Sequence, residues 1–484
     1  MNQIIRFLTA FFLRVLLLLL ILASYSVDAQ RKSTSVRIDD NGKTTISIKN
    51  GFGNNFSVEY RGDITLTEND TDISAISRGG YLEIKKSAFG NRRRIFIEPD
   101  NSGGLIKKYY VGGAQKHFDG EGKKWLEEIL LEVVRNTTLG AEKRVERMYR
   151  KGGSYQVLRE VGYIRSNHVK ARYIKLLLDK NPKSSDLAAV LNVVGEEIDS
   201  DHHRADILKH NASLFLASES ATAAYIKATG KIDSDHHKAE VLKTAVRNGS
   251  VSETQLKSLF VIVKDIDSDH HKASVLLEVM KNKPLSPNNV KLLVNTAKDI
   301  NSDHHKATVL KKALSSNQLS GDANHTLLKS IENMDSDHHM ASVFSVFVRN
   351  ELDAAVLSHM LRLIGDEMTS DNHKATVLKL VVEKQGIENH GLNDFIYALH
   401  EINSDHHQAE VFKKLARKKY SDVQLVALLK ATESINSDYH KAESLISFSS
   451  TVGQKGTAVK DAYRDACDDI NSESHFGRAI RAIQ

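Results

Sequence analysis

Residues 33–118 alternate apolar and polar side chains in short runs, as in Thr44-Thr45-Ile46-Ser47-Ile48-Lys49 and Tyr81-Leu82-Glu83-Ile84-Lys85. A period of two predicts half-buried strands. Turn residues interrupt the runs at Asp40-Asn41-Gly42, Arg61-Gly62-Asp63, Gly79-Gly80, Asn101-Ser102-Gly103-Gly104 and Gly112-Gly113. They predict about eight strands joined mainly by hairpins, in a small β-rich domain built as a sandwich or rolled sheet. After Asp119 the apolar positions move to Trp125, Leu126, Ile129, Leu130, Val133 and Val134, the spacing of an amphipathic helix docked on the sheet or on the next domain. The β-rich domain is therefore placed at 30–118, followed by a helical connector and cap at 119–165.

Self-similarity governs the remaining chain. Ser166, Ser200, Ser234, Ser268, Ser302, Ser336, Ser370 and Ser404 recur every 34 residues, and Ser437 and Ser472 continue the series, giving ten copies over residues 166–484. Each Ser is followed in most copies by Asp. That pair predicts a helix N-terminus, the hydroxyl accepting an orphan backbone N–H and the acid lying at the positive end of the helix dipole. With Ser as position zero, apolar residues at +5, +7, +8 and +11 or +12 cover one broad helical face. A second helix fits before the next Ser, with starts at Val251-Ser252-Glu253-Thr254-Gln255 and at Leu285-Ser286-Pro287. Each copy thus predicts one helix-turn-helix layer. The fold class is α+β multidomain, a β-rich domain followed by an α-solenoid, long and curved, extending ~90–100 Å at about 10 Å per helix width.

Sixteen of the 22 histidines fall at +2 or +3 of this repeat. The +3 slot holds His203, His237, His271, His305, His339, His373, His407, His440 and His475 at the edge of the apolar arc. These read as structural, each imidazole reaching back to the cap's backbone N–H as Glu or Gln does in a capping box. Beside His168 of the first copy, the +2 slot holds His202, His236, His270, His304, His338 and His406, but also Asn372, Tyr439 and Ser474. That variation suits an exposed, partner-facing row. A row of Asp and His also suggests a metal-binding ladder. Against it, adjacent helical residues diverge by 100° and equivalent residues of successive layers lie about 10 Å apart, so no third ligand is evident and no metal site is assigned. At a helix N-terminus the protonated imidazole is disfavoured, so depressed histidine pKa values are expected.

The unit Ser234-Asp235-His236-His237-Lys238-Ala239-Glu240-Val241-Leu242, preceded by a β-rich segment, resembles the extracytoplasmic repeat region attached to some bacterial membrane metallopeptidases of the β-lactam-sensor type. The resemblance covers the β segment and most of the array. It implies a sensing or protein-interaction region without the membrane peptidase domain. Those enzymes carry His-Glu-x-x-His, whereas His400-Glu401-Ile402-Asn403-Ser404 lacks the second histidine, so no protease activity is implied. Tetratricopeptide repeats share the length, but their Trp-Leu-Gly-Tyr and Ala-Phe-Pro positions are missing.

The first 29 residues decide the expected compartment. Arg6 and Arg14 without an acid, an apolar core from Val15 to Ala23, and Val27-Asp28-Ala29 predict a secretory signal cut after Ala29, leaving Gln30 first. An uncut anchor is the alternative, because Phe7 to Ala23 nearly spans a bilayer. Location is then periplasmic or secreted, with membrane contact only if the signal is uncleaved. The full chain carries 67 Lys+Arg against 61 Asp+Glu, and the balance after the cut stays too even to suggest nucleic acid. The lone Cys467 allows no intrachain disulfide and no Cys-based zinc site.

Catalytic signatures are missing. Gly120-Glu121-Gly122-Lys123-Lys124 lacks the spacing and hydroxyl of a phosphate loop, and Ala75-Ile76-Ser77-Arg78-Gly79 lacks the first Gly of a nucleophile elbow. Arg92-Arg93-Arg94 reads as a solvated charge run and Cys467 as packing. The sequence predicts no catalytic residues and no cofactor. It predicts a non-enzymatic interaction or sensing scaffold for another envelope or extracellular protein, of unknown oligomeric state. The alternative is a metal-binding or metal-buffering protein using the Asp-His-His row.

Overall fold

The computed structural model describes residues 33–38, 43–50, 54–88, 90–248, 251–282, 285–316, 319, 321–387 and 391–484. The leader and the Asp40-Asn41-Gly42 turn lie outside the described residues. An antiparallel β region is followed by an array of helix pairs. The chain forms two compact units, one ending at Ile207 and the other running from Leu208 to Gln484.

In the first unit, strands β1 (Ser33–Ile38), β2 (Thr44–Asn50), β3 (Asn54–Arg61), β6 (Tyr81–Ala88), β7 (Asn91–Pro99), β8 (Leu105–Val111) and β9 (Ala114–Lys116) form one antiparallel sheet in that order. The hairpin β4 (Ile64–Leu66) and β5 (Ile73–Ile76) forms a separate two-stranded sheet. Register carries the predicted alternation into a core. Ile46, Val58, Ile84, Ile95 and Tyr109 are successive cross-strand partners, and all five are buried. Trp125, Leu126, Ile129, Leu130, Val133 and Val134 of helix α1 (Lys123–Asn136) complete that cluster together with Ile64, Leu66, Ile73 and Ile76 of the hairpin. The layer covering the sheet is thus a helix and a hairpin. The docking helix expected from the three-and-four spacing is α1.

Helix α2 (Ala141–Tyr163) bends at Gly152-Gly153, where Gly153 takes φ +61°, a conformation that L side chains rarely adopt. Its first turns bring Arg144, 1% exposed, into a buried charge network. Arg144 Nε donates to Asp70 Oδ2 at 2.8 Å, Nη2 donates to Glu160 Oε1 at 3.1 Å, and Nη1 donates to the Tyr173 hydroxyl. Arg147 also pairs with Asp70, and Arg135 grips both oxygens of Glu160 at 2.9 and 3.0 Å. Asp70 stands in the β4–β5 connection with φ +59°, and Tyr173 lies in the first helix of the array, α3 (Asn167–Leu178). One cationic cluster therefore ties the hairpin to α2 and α3. This is why the compact unit extends beyond the strand-to-helix change near residue 118.

The layers repeat as predicted. In the second unit the first helices include Asp235–Asn248, Asp269–Asn282, Asp303–Ser316, Asp337–Phe347, Asp371–Lys384, Asp405–Leu415 and Asp438–Gly453. The second helices between them include Glu253–Lys264, Pro287–Ala297, Gly321–Ile331 and Ala354–Asp366. Ser252 with Gln255 forms a full capping box, and Ser286 caps a helix with Pro287 in its first turn, as the sequence predicts. Residues at +5, +7 and +8, such as Ala273, Val275 and Leu276, or Ala307, Val309 and Leu310, are buried in one continuous core. Among the described residues, no helix is long and apolar enough to cross a membrane.

Removing one member of a buried ion network leaves the others uncompensated, at a cost of about 3–5 kcal/mol. Arg144→Ala is expected to lower the stability of the first unit by that order. Trp125, the only tryptophan, lies in the same unit, so chemical unfolding followed by its fluorescence reads the loss directly. An unchanged midpoint would show that the network is not structural.

Candidate functional site

The repeated Ser-Asp-His-His-Lys turn is the densest concentration of polar chemistry in the array. Ser200, Ser234, Ser268, Ser336, Ser370, Ser404 and Ser437 each accept the backbone N–H of the +3 residue, and Ser166 accepts that of Val169, at 3.4–3.5 Å. These bonds lie at the long, weak end of hydrogen-bond geometry. Ser472 departs from the prediction, since its hydroxyl makes no cap bond.

The aspartate at +1 makes the stronger contacts, and it makes them across the layer boundary. Asp235 accepts the backbone N–H of Ser268 at 2.7 Å, Asp269 that of Ser302 at 2.7 Å, Asp303 that of Ser336 at 2.7 Å and Asp337 that of Ser370 at 2.6 Å. Asp405 and Asp438 take Ser437 and Ser472 at 2.8 Å. The N–H preceding the Ser is taken as well, as in Asn301 to Asp269 and Asp335 to Asp303. Burial alone would raise the Asp337 carboxyl, but hydrogen bonds from Thr369 and Ser370 hold it below the ordinary carboxylate value. The cap's backbone N–H is thus occupied by the preceding layer's carboxylate. This corrects the expectation that the +3 imidazole reaches back to it. Where an imidazole does reach the cap, His373 Nδ1 meets the Ser370 hydroxyl at 3.0 Å.

Sequence reasoning assigned no role to the +4 residue. Lys170, Lys238, Lys272, Lys306, Lys374 and Lys441 are all buried, Lys306 to 2% exposure. Four of the six ammonium groups, those of Lys170, Lys272, Lys306 and Lys374, donate to carbonyls at the C-terminal ends of second helices. Lys374 Nζ binds Gly365 O at 2.9 Å and Glu401 O at 2.8 Å, Lys272 binds Asp299 O at 3.1 Å, and Lys170 binds Glu197 O at 2.5 Å. A cation there complements the negative end of the helix dipole. Burial holds the Lys306 ammonium below its ordinary value, partly offset by Asp303 and Asp269. The recurrence of Lys between polar His and apolar Ala was the available signal; a charge on the buried side of the turn is legible only once the carbonyls are in place.

The +2 histidines His202, His236, His270, His304, His338 and His406 are exposed, and the nine +3 histidines are half-buried. Their rings meet within and between layers. Within a layer His236–His237, His270–His271, His304–His305 and His338–His339 have ring centres 5.2–5.3 Å apart. Between layers His236–His271, His270–His305, His304–His339, His338–His373 and His406–His440 lie 5.5–6.0 Å apart. The rings that meet across a layer boundary occupy unlike slots, +2 of one layer against +3 of the next, and so lie closer than the roughly 10 Å expected between equivalent slots. In the first unit His168 meets His203 at 5.7 Å. No family profile matches the chain, and no curated protein sequence matches it.

Elsewhere, Arg92 and Arg94 line a groove of about 430 Å³ on the sheet, with Asn55, Ser57, Lys85 and Tyr110. Arg94 binds Glu83 at 2.5 Å, and its guanidinium sits 4.8 Å above the Tyr110 ring. Cys467 is buried, and burial together with Asp468 pushes its thiol up to about 12, so it is not a nucleophile at neutral pH. Among the described residues, no group of three or more His, Cys, Asp or Glu is disposed to hold a metal ion.

The pKa values of His203, His271, His305 and His339 are lowered, first by burial and then by neighbouring imidazoles. Asp206, Asp235, Asp269 and Asp303 respectively offset the effect, and Lys175, Lys243 and Lys311 reinforce it at His203, His271 and His339. A histidine whose folded pKa is depressed binds its proton more readily when unfolded. Stability is therefore retained above the unfolded value of about 6.5 and declines as pH falls through it toward the folded pKa. In chelator-containing buffer, the melting temperature is expected to be steady from pH 8 to 7 and lower at pH 5.5. A His271→Gln/His305→Gln/His339→Gln variant should lose less over that interval. Equal melting temperatures of the native chain at pH 7.5 and 5.5 would contradict this.

Proposed function

We propose that this chain is an exported, non-enzymatic scaffold whose helical array binds another envelope or extracellular protein, in an interaction or sensing role. The observation that carries this reading is the division of labour within each layer. The recurring Asp, Lys and apolar positions are consumed in holding helices within and between layers, while exposed positions on the second helices differ from one layer to the next. Stacked repeats of this kind present extended surfaces for macromolecular partners without needing a deep pocket. Exposed apolar side chains on second helices, Val261, Tyr397 and Val423, are 60%, 43% and 80% exposed and suit partner contacts. The resemblance to the extracytoplasmic repeat region of sensor-type metallopeptidases supports the same role, and the signal-like first 29 residues support export to the periplasm or beyond.

Proximity crosslinking in the producing cells, comparing the native chain with a Val261→Glu/Tyr397→Glu/Val423→Glu variant, tests the reading. A defined protein partner captured by the native chain and lost from the folded variant is expected. Capture of no protein, or capture that is indifferent to these side chains and to the +2 histidines alike, would overturn it.

A further inference from the structure

The imidazole strip has a geometry that neither the layer-joining contacts nor the scaffold reading uses. From His237 to His373 nine rings follow one another, each within 5.2–6.0 Å of the next, alternating between the two slots of the repeat. The succession stops where Asn372 replaces the +2 histidine, and resumes with His407, His406 and His440. Hydrophobic packing does not account for the +2 rings, because they are exposed. The backbone N–H groups of the turn are already satisfied by Ser and Asp, so the rings are not needed as caps.

The spacing is that of two ligands on one ion. With a metal–nitrogen bond of about 2.1 Å, a ring centre lies roughly 3.2 Å from the ion, so two imidazoles at a tetrahedral angle have centres about 5.2 Å apart, and an angle widened to about 140° gives about 6 Å. The cross-layer pairs, at 5.5–6.0 Å, fall in that range. We propose that neighbouring imidazoles of successive layers, His236 with His271, His270 with His305, His304 with His339 and His338 with His373, each hold one exchangeable divalent cation of the Zn2+, Ni2+ or Cu2+ class through two nitrogens. Imidazole suits these borderline ions, whereas Mg2+ and Ca2+ require oxygen ligands. Since the described residues supply no third protein ligand, the remaining positions are taken by water. Binding is therefore reversible and readily exchanged, unlike a closed structural zinc site.

Calorimetric titration of the untagged full chain with Zn2+ and with Ni2+ tests this. Micromolar binding, reversed by EDTA and absent for Mg2+, is expected. Nine rings taken two at a time hold at most four ions between His237 and His373. The variant His236→Asn/His270→Asn/His304→Asn/His338→Asn should therefore bind up to four fewer ions than the native chain, with unchanged circular dichroism. A parallel variant with Ser at the same four positions, the residue found naturally at 474, guards against a folding defect in the first. The proposal is overturned if the native chain binds neither ion more tightly than about 1 mM, or if both variants bind as many ions as the native chain. The protein-partner reading is tested separately, by capture with the Val261→Glu/Tyr397→Glu/Val423→Glu variant, so failure of one reading is distinguishable from failure of the other.

Discussion

A carboxylate that closes the polar gap between layers is the contact on which the array depends. Every first helix begins with backbone N–H groups that have no partner inside the helix, and leaving such groups buried and unsatisfied costs about 1–3 kcal/mol each. The Ser hydroxyl deals with one of them at long range. The two ahead of the helix are taken by the aspartate of the preceding layer, at 2.6–2.8 Å for the Ser itself at six layer boundaries. Within the layer, the buried +4 lysine of four copies serves carbonyls at the end of the second helix. Each layer's aspartate thus completes the first helix of the next layer while its lysine completes its own second helix, and the apolar residues at +5, +7 and +8 can pack without stranding polar backbone.

The same contact sets the imidazole strip. Once Asp at +1 fixes where the next cap lies, the residues immediately after it are fixed too, and +2 of one layer comes to rest beside +3 of the next. Cap alignment and ring spacing are then two consequences of one registration. The buried Arg144 network does comparable work in the first unit, where Asp70 from the β4–β5 connection and Tyr173 from α3 share a single guanidinium.

Much of this was legible in the sequence. The 34-residue spacing of the serines gave the layers, the apolar arc gave the core, and Ser252 and Ser286 marked second-helix starts. The alternation of 33–118 gave the strands. Three features were not legible, for one shared reason. The Asp acceptor bonds, the Lys donor bonds and the His ring contacts all join non-equivalent positions, the Asp bonds across layers, the Lys bonds mostly between the two helices of one layer and the His contacts both within and between layers, and two of the three end on backbone atoms. A repeat in sequence displays which positions recur, not which position of one copy meets which position of the next. Lys306 carried no legible role because its carbonyl partner, Asn333 O, has no side-chain signature.

The measurement that bears most directly on this account is native-state amide exchange at Ser336 in the native chain and in Asp303→Ala, with Ser302, which is held by Asp269, as internal reference. A hydrogen bond to a charged acceptor contributes about 1.5–3 kcal/mol, so the Ser336 amide should exchange about 10- to 100-fold faster in the variant while Ser302 is unchanged. Equal protection of Ser336 in both chains would mean that the carboxylate is incidental and that apolar packing alone holds successive layers in register.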